Sequence, residues 1–151
     1  MRCLSCLILK DNGIDDTYIE EMNMIFMNTR IVMLNLSGNN IGKQGGMLLG
    51  RIFKERDPFL EWLDISRNDF HHYPAVTNSI INGLKSQKNL FHLTMDVSPV
   101  TSDNETIDNF KSSDKVSTLL AVFYGYKIDK SKIEIPRSNR LPDHPSGYEQ
   151  H

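Results

Sequence analysis

Three groups of residues in this chain have the types that could do chemistry. Cys3 and Cys6 form a CxxC pair, His71 and His72 are adjacent, and Ser66, His92 and Asp96 have the residue types of a hydrolytic triad. Each fails on spacing or context. A structural zinc site takes about four ligands, and the chain has only 2 cysteines. On a strand, residues three apart point to opposite faces, so Cys3 and Cys6 do not converge there. A redox pair needs a helix N-terminus to lower the thiol pKa, and none is indicated. Adjacent histidines are poorly placed to chelate one ion, and His71–His72 reads as a solvated loop before Pro74. Ser66, His92 and Asp96 lack the sharp turn that presents a nucleophile. Gly42, Gly45 and Gly46 are not followed by the Gly-Lys-Ser/Thr of a phosphate-cradling loop. The expectation is a protein that is not an enzyme, with no cofactor and no metal.

Composition sets the wider bounds. Of 151 residues, 17 are Lys or Arg and 19 are Asp or Glu, for a formal charge of −2. Apolar residues are 39% and charged residues 24%, ordinary for a globular chain. That balance argues against a nucleic-acid binder and against a highly charged disordered chain. No apolar run approaches the 18 or so residues of a membrane span, and Lys10 and Asp11 end the first apolar stretch too soon for a signal peptide. The expectation is therefore a cytoplasmic protein with no membrane association. Residues 127–151 hold Pro136, Pro142 and Pro145 and lose apolar periodicity after Ile135. They read as a flexible tail behind a domain at 3–126.

Within that domain the chain aligns with itself. Leu4–Ile14, Ile31–Ile41, Leu60–Phe70 and Leu90–Val100 each fit aliphatic-x-x-Leu-x-aliphatic-x-x-Asn-x-apolar, with Ser98 in place of the last Asn. Leu7, Leu34, Leu63 and Leu93 are separated by 27, 29 and 30 residues. A weaker fifth copy starts at Val116, with Leu119, Ala121 and Tyr124 in the pattern positions. Such a period indicates stacked units. The chain resembles the leucine-rich-repeat family, in its longer, helix-bearing class similar to ribonuclease inhibitor and the sensor domains of NOD-like receptors. The segment Asn39-Asn-Ile41-Gly-Lys-Gln-Gly45-Gly-Met-Leu48-Leu49 carries the closest likeness. The resemblance implies an α/β leucine-rich-repeat solenoid of four to five units, its curved parallel sheet on the concave side and its helices on the convex side.

The pattern has a physical basis. Leu7/Leu9, Leu34/Leu36, Leu63/Ile65 and Leu93/Met95 are two apart, so each pair faces one side of a strand. Asn12, Asn39 and Asn68 follow where the chain leaves the strand, and an amide can both donate to and accept from turn backbone groups. They read as a ladder of structural asparagines, or as simple turn formers. Between strands, Ile19, Met22 and Phe26 (with Ile25) have helical spacing after Asp15 and Asp16, which suit a helix start. Met47, Leu48, Ile52 and Phe53 (with Leu49) read as the inner stripe of a second helix ended by Asp57-Pro58. Val76, Ile80 and Leu84 mark a third, opened by Pro74. Ser102, Glu105, Ile107 and Phe110 suggest a fourth.

Strands pack about 4.8 Å apart and helices about 10 Å apart, so such a stack curves with its strands inside. The residues between the buried strand positions then line the concave face: Cys6, Ile8, Lys10; Met33, Asn35, Ser37; Trp62, Asp64, Ser66; His92, Thr94, Asp96; and, in the fifth copy, Thr118, Leu120 and Val122. Met33, Asn35, Trp62, Asp64, His92, Thr94 and Asp96 are the candidate binding residues for a protein partner. Trp62 is the sole tryptophan and is either a contact residue, as large exposed aromatics often are, or covered by the tail or a loop. Asp64 and Asp96 favour a partner with a basic or amphipathic segment. The family's usual role implies a non-catalytic scaffold or adaptor. One branch of the class, which activates Ran-type GTPases, implies regulation of a small GTPase instead. The first unit shows no cap, so the chain is a fragment of a longer repeat protein or its N-terminal end docks on a partner or a second copy.

Overall fold

The structure is a computed structural model, and it describes residues 4–55, 59–97 and 120–124. The chain alternates strand and helix: β1 Cys6–Ile8, α1 Asp16–Asn28, β2 Met33–Asn35, α2 Lys43–Glu55, β3 Trp62–Asp64, a 3₁₀ turn Asp69–His72, α3 Pro74–Leu84, β4 His92–Asp96 and β5 Leu120–Tyr124. The strands form one all-parallel sheet in the order β1-β2-β3-β4-β5. This is the alternation that gives an α/β architecture.

The register sets Leu7 beside Leu34, Leu34 beside Leu63 and Leu63 beside Leu93. Leu34, Leu36, Leu63, Ile65, Leu93 and Met95 are all buried, at most 1% exposed. Leu7 on the edge strand, and Leu9 just beyond its end, pack against this core while remaining partly exposed. The helices contribute Ile19, Met22, Phe26, Leu49, Ile52, Phe53, Val76, Ile80 and Leu84 to the same cluster.

Helix starts follow local chemistry. Asp15 caps α1, its Oδ1 accepting from the amides of Thr17 at 3.0 Å and Tyr18 at 3.2 Å. That satisfies two donors left over by the first turn. Pro74 occupies the first turn of α3, where a missing amide hydrogen costs nothing.

Helix α2 departs from the sequence expectation. Met47 is 41% exposed and Leu48 only partly buried, whereas Gly45, Gly46 and Gly50 are buried beside Leu49, Ile52 and Phe53. The apolar side chains alone misplace the inward face, because the helix turns its glycines towards its neighbours. A Cβ on Gly46 would lie 2.3 Å from Val76 Cγ1, and one on Gly50 would lie 2.7 Å from the Ser79 backbone carbon. Ile25 of α1 is likewise 41% exposed, since it faces the side of α1 away from α2. His71 and His72 lie in the 3₁₀ turn and not in an irregular loop.

β5 also departs from expectation. The repeat pattern places Leu119 and Ala121 beside Leu93 and Met95, but the register pairs Leu93 with Ala121 and Met95 with Phe123. The shift is two residues. It keeps the alternation of faces, which a shift of one would invert. With Ala121 and Tyr124 where Leu and Asn recur elsewhere, the pattern fixes that parity and nothing more. The fourth helix pattern at 102–110, the Asp57-Pro58 helix end, Cys3, Ser98, Thr118, the start of the fifth copy at Val116 and the tail at 127–151 lie outside the described residues.

Candidate functional site: the open face of the sheet

Strands β1 to β4 each turn one face to the helices and leave one uncovered by any helix among the described residues. On the uncovered face the register builds columns. Cys6, Met33, Trp62 and His92 lie side by side in one, and Ile8, Asn35, Asp64 and Thr94 in the next. In the first column the Cys6 thiol donates to the Met33 thioether at 3.6 Å. Trp62 and His92 stack with ring centroids 4.9 Å apart and planes 4° apart. Adjacent parallel strands are about 4.8 Å apart, so two rings standing off equivalent positions meet at stacking distance. Both rings remain half-exposed.

The second column is held from below. Asn35 Oδ1 accepts from the Ser37 amide at 3.0 Å and the Ser37 hydroxyl at 2.7 Å. Asp64 Oδ1 accepts from the Ser66 amide at 3.0 Å and the Ser66 hydroxyl at 2.6 Å. These are matching turns two residues long, the kind Asx side chains favour. They fix the Asn35 amide and the Asp64 carboxylate in one orientation on adjacent strands.

Several expected outward positions are not outward. Ser37 and Ser66 are 1% and 5% exposed, because their hydroxyls complete the turns just described. Thr94 is 8% exposed, and its hydroxyl lies 2.9 Å from His92 Nε2. Thr94 therefore supports the histidine ring and does not face a partner. Asp96 Oδ2 accepts from the Arg67 amide at 2.5 Å. In the preceding turns the equivalent amides, Asp11 and Gly38, donate to the carbonyls of Ser37 and Ser66. Asp96 thus stands in for a main-chain acceptor. Met33, Asn35, Trp62, Asp64 and His92 remain as a half-exposed cluster, and Asp96 is half-exposed too although it is bonded to the Arg67 amide.

The asparagines act across strand boundaries. Asn39 Nδ2 donates to the carbonyls of Leu9 and Leu36, both at 2.9 Å, while its Oδ1 accepts from the amides of Asn12 and Ile14 at 3.0 Å. Asn68 donates to Leu36 at 2.9 Å and Ile65 at 3.1 Å and accepts from Ile41 at 3.2 Å. Asn12, expected as the first rung, is exposed and its side chain reaches only Lys10 of its own turn, at 2.9 Å. No earlier turn lies beside it among the described residues.

Two features escape the sequence pattern. Asp11, Gly38 and Arg67, each just before an asparagine, all have positive φ of 57°, 67° and 53°. Arg67 also pairs with Asp11 at 3.1 Å, spanning Gly38: a Cβ there would lie 2.8 Å from the guanidinium. Placing Asp, Gly and Arg in one aligned column would have exposed that pairing. The second is Gln87, buried, whose Nε2 donates to Phe53 at 2.9 Å and whose Oε1 accepts from Leu60 at 3.3 Å. It links the end of α2 to the start of β3.

Comparison with protein-family models and with curated proteins gives no match.

Ser66 and His92 are engaged with Asp64 and Thr94, so the Ser66–His92–Asp96 set is not brought together as a relay. Among the described residues no three His, Cys, Asp or Glu side chains cluster as metal ligands. His72 pairs instead with Asp69 at 3.6 Å. No helix among the described residues is long and apolar enough to cross a membrane.

Burial pushes the His92 pKa below its ordinary value of 6.5, and the Asp64 carboxylate opposes that shift. The unfolded chain therefore binds more protons at mildly acidic pH than the folded one. The stability linked to neutral His92 is present above about pH 6.5 and is lost as pH falls through the folded pKa. We expect the urea midpoint to fall on acidification through that window in the wild type and to fall less in His92→Gln. Equal slopes in both would show that other groups dominate.

Proposed function

We propose that this chain is a leucine-rich-repeat solenoid of four to five units, that it acts in the cytoplasm, and that it is a non-catalytic module binding a protein partner on the open strand face. The reading rests on one observation: the half-exposed Trp62–His92 stack beside the Asp64 carboxylate. An indole held rigidly by a neighbouring ring loses little freedom when a partner covers it, and aromatic anchors of this kind carry a large share of interface energy. Asp64 supplies a negative group whose position is fixed, suited to a basic side chain beside the aromatic contact.

The test uses the full chain and a partner captured with it. Trp62→Ala is expected to weaken the complex by about 2 kcal/mol or more, read by titration calorimetry. Asp64→Asn is the better companion than alanine. Asn35 shows that an amide oxygen makes the same turn bonds to a serine two residues on, so this substitution removes the charge and keeps the geometry. It is expected to weaken binding and reduce its salt dependence. A complex indifferent to both substitutions would refute the reading.

A further inference from the structure

The first unit of the chain differs from the second in a way the strand face does not explain. Of nine large apolar side chains that are exposed among the described residues, six fall within residues 4–27. Four of them lie on α1: Tyr18 is 54% exposed, Met24 66%, Ile25 41% and Met27 61%. Residues 4–29 carry Lys10 against Asp11, Asp15, Asp16, Glu20 and Glu21, a charge of −4. Residues 30–55 carry Arg30, Lys43, Arg51 and Lys54 against Glu55, a charge of +3.

The positions equivalent to Met24 and Met27 on α2, 27 residues on, are Arg51 and Lys54, both exposed. An outward helix surface is polar there by ordinary rules; on α1 it is methionine. At 100° per residue, Tyr18 and Ile25 lie on the flank of α1 away from α2, and Met24 lies opposite the buried stripe of Ile19, Met22 and Phe26. The N-terminal half of the exposed surface is acidic, through Glu20 and Glu21. Its C-terminal half exposes Met24, Ile25 and Met27, with Asn28 at the helix end. Methionine fits irregular apolar partners because it is flexible and polarisable.

We propose that the exposed surface of α1 is a docking site for a basic amphipathic helix of another protein. Leucine-like residues of that helix at i, i+3 and i+4 would pack on Met24 and Met27, which share a face of α1 with Glu20, by ridge-in-groove contact. Its flanking Lys or Arg side chains would meet Glu20 and Glu21. The charge of the helix surface selects this occupant. Two copies meeting face to face through α1 would set Glu20 and Glu21 of one against those of the other, and an anionic membrane surface would be repelled.

The experiment titrates the full chain with a synthetic Leu/Lys peptide whose leucines recur at helical spacing. Its comparators are a scrambled isomer of equal composition and a Leu/Glu version. The wild type is expected to bind the periodic Lys peptide at least about tenfold more tightly than either comparator, and less tightly as salt rises. Met24→Ser with Met27→Ser is expected to weaken binding about tenfold without moving the urea midpoint, since both residues are exposed. Glu20→Lys with Glu21→Lys is expected to invert the preference towards the Leu/Glu peptide. The proposal is overturned by equal affinity for the scrambled isomer, by no binding, or by variants that bind as the wild type does. Loss of peptide binding in Trp62→Ala would place the peptide on the strand face and overturn it too. So would sedimentation showing self-association that Met24→Ser with Met27→Ser abolishes, because the occupant would then be a second copy.

Discussion

Gly83→Ala is expected to unfold at a lower urea concentration, by about 2 kcal/mol net, with little change in slope. The added Cβ would lie 2.2 Å from the Gly50 carbonyl oxygen and 3.2 Å from Phe53 Cβ. The nearer atom is backbone and cannot rotate aside, so α2 and α3 must separate. Alanine gains about 1 kcal/mol over glycine in helix propensity, which is why the net loss is smaller than the packing loss. Separation would also loosen Gly46 from Val76 and Gly50 from Ser79, since all three approaches lie on the α2–α3 seam. Asn82→Ala, one residue away on the exposed side of α3, is the matched control and should leave the midpoint nearly unchanged. Equal stability of Gly83→Ala and Asn82→Ala would mean that the two helices are not held at this distance.

Asn68→Ala is expected to cost about 3 kcal/mol. Asn68 is 4% exposed and serves the carbonyls of Leu36 and Ile65 and the amide of Ile41. Alanine would leave those groups away from water without partners, and a buried polar group left unpaired costs about 1–3 kcal/mol. Asn39 makes comparable bonds but is only half-buried, so in Asn39→Ala water replaces part of what is lost. Asn12→Ala should cost a few tenths of a kcal/mol at most, as an exposed side chain bonded within its own turn. The ordering Asn68, Asn39, Asn12 in denaturant midpoints is the measurement. Equal effects at all three positions would mean that the asparagines act only as local turn formers.

The residues that were legible in the sequence are those whose role depends on spacing along the chain. Leu34/Leu36 and Leu63/Ile65 face inward because a strand alternates, and their pairing register followed from their alignment. Asp15 and Pro74 mark helix starts through groups they supply or lack locally. That Trp62 and His92 share a column was equally readable. What the sequence concealed depends on distance between elements. Hydropathy ranks Met47 above Gly46 as a core residue, yet α3 comes so close that only glycine fits, and the helix is rotated accordingly. Ser37, Ser66 and Thr94 alternate with buried residues and still end up covered, because each hydroxyl has a nearby acceptor or ring nitrogen to satisfy. Asp96 has the type of a surface contact residue; it is drawn into the sheet end by the Arg67 amide. Parity survives at β5, but register does not, since Ala121 offers too little bulk to identify the inward pair.

The Asp11–Arg67 pair passes over Gly38 and ties the turn after β1 to the turn after β3. As an exposed ion pair it contributes little to stability on its own. Its consequence is for sequence variation. Position 38 has no room for a side chain while both charges are present, and its φ of 67° is one that glycine adopts without strain. Substitutions at 11, 38 and 67 should therefore arise together in relatives of this chain, a three-way dependence between residues 27 and 29 apart that pairwise comparison of neighbouring turns would divide into two weaker correlations.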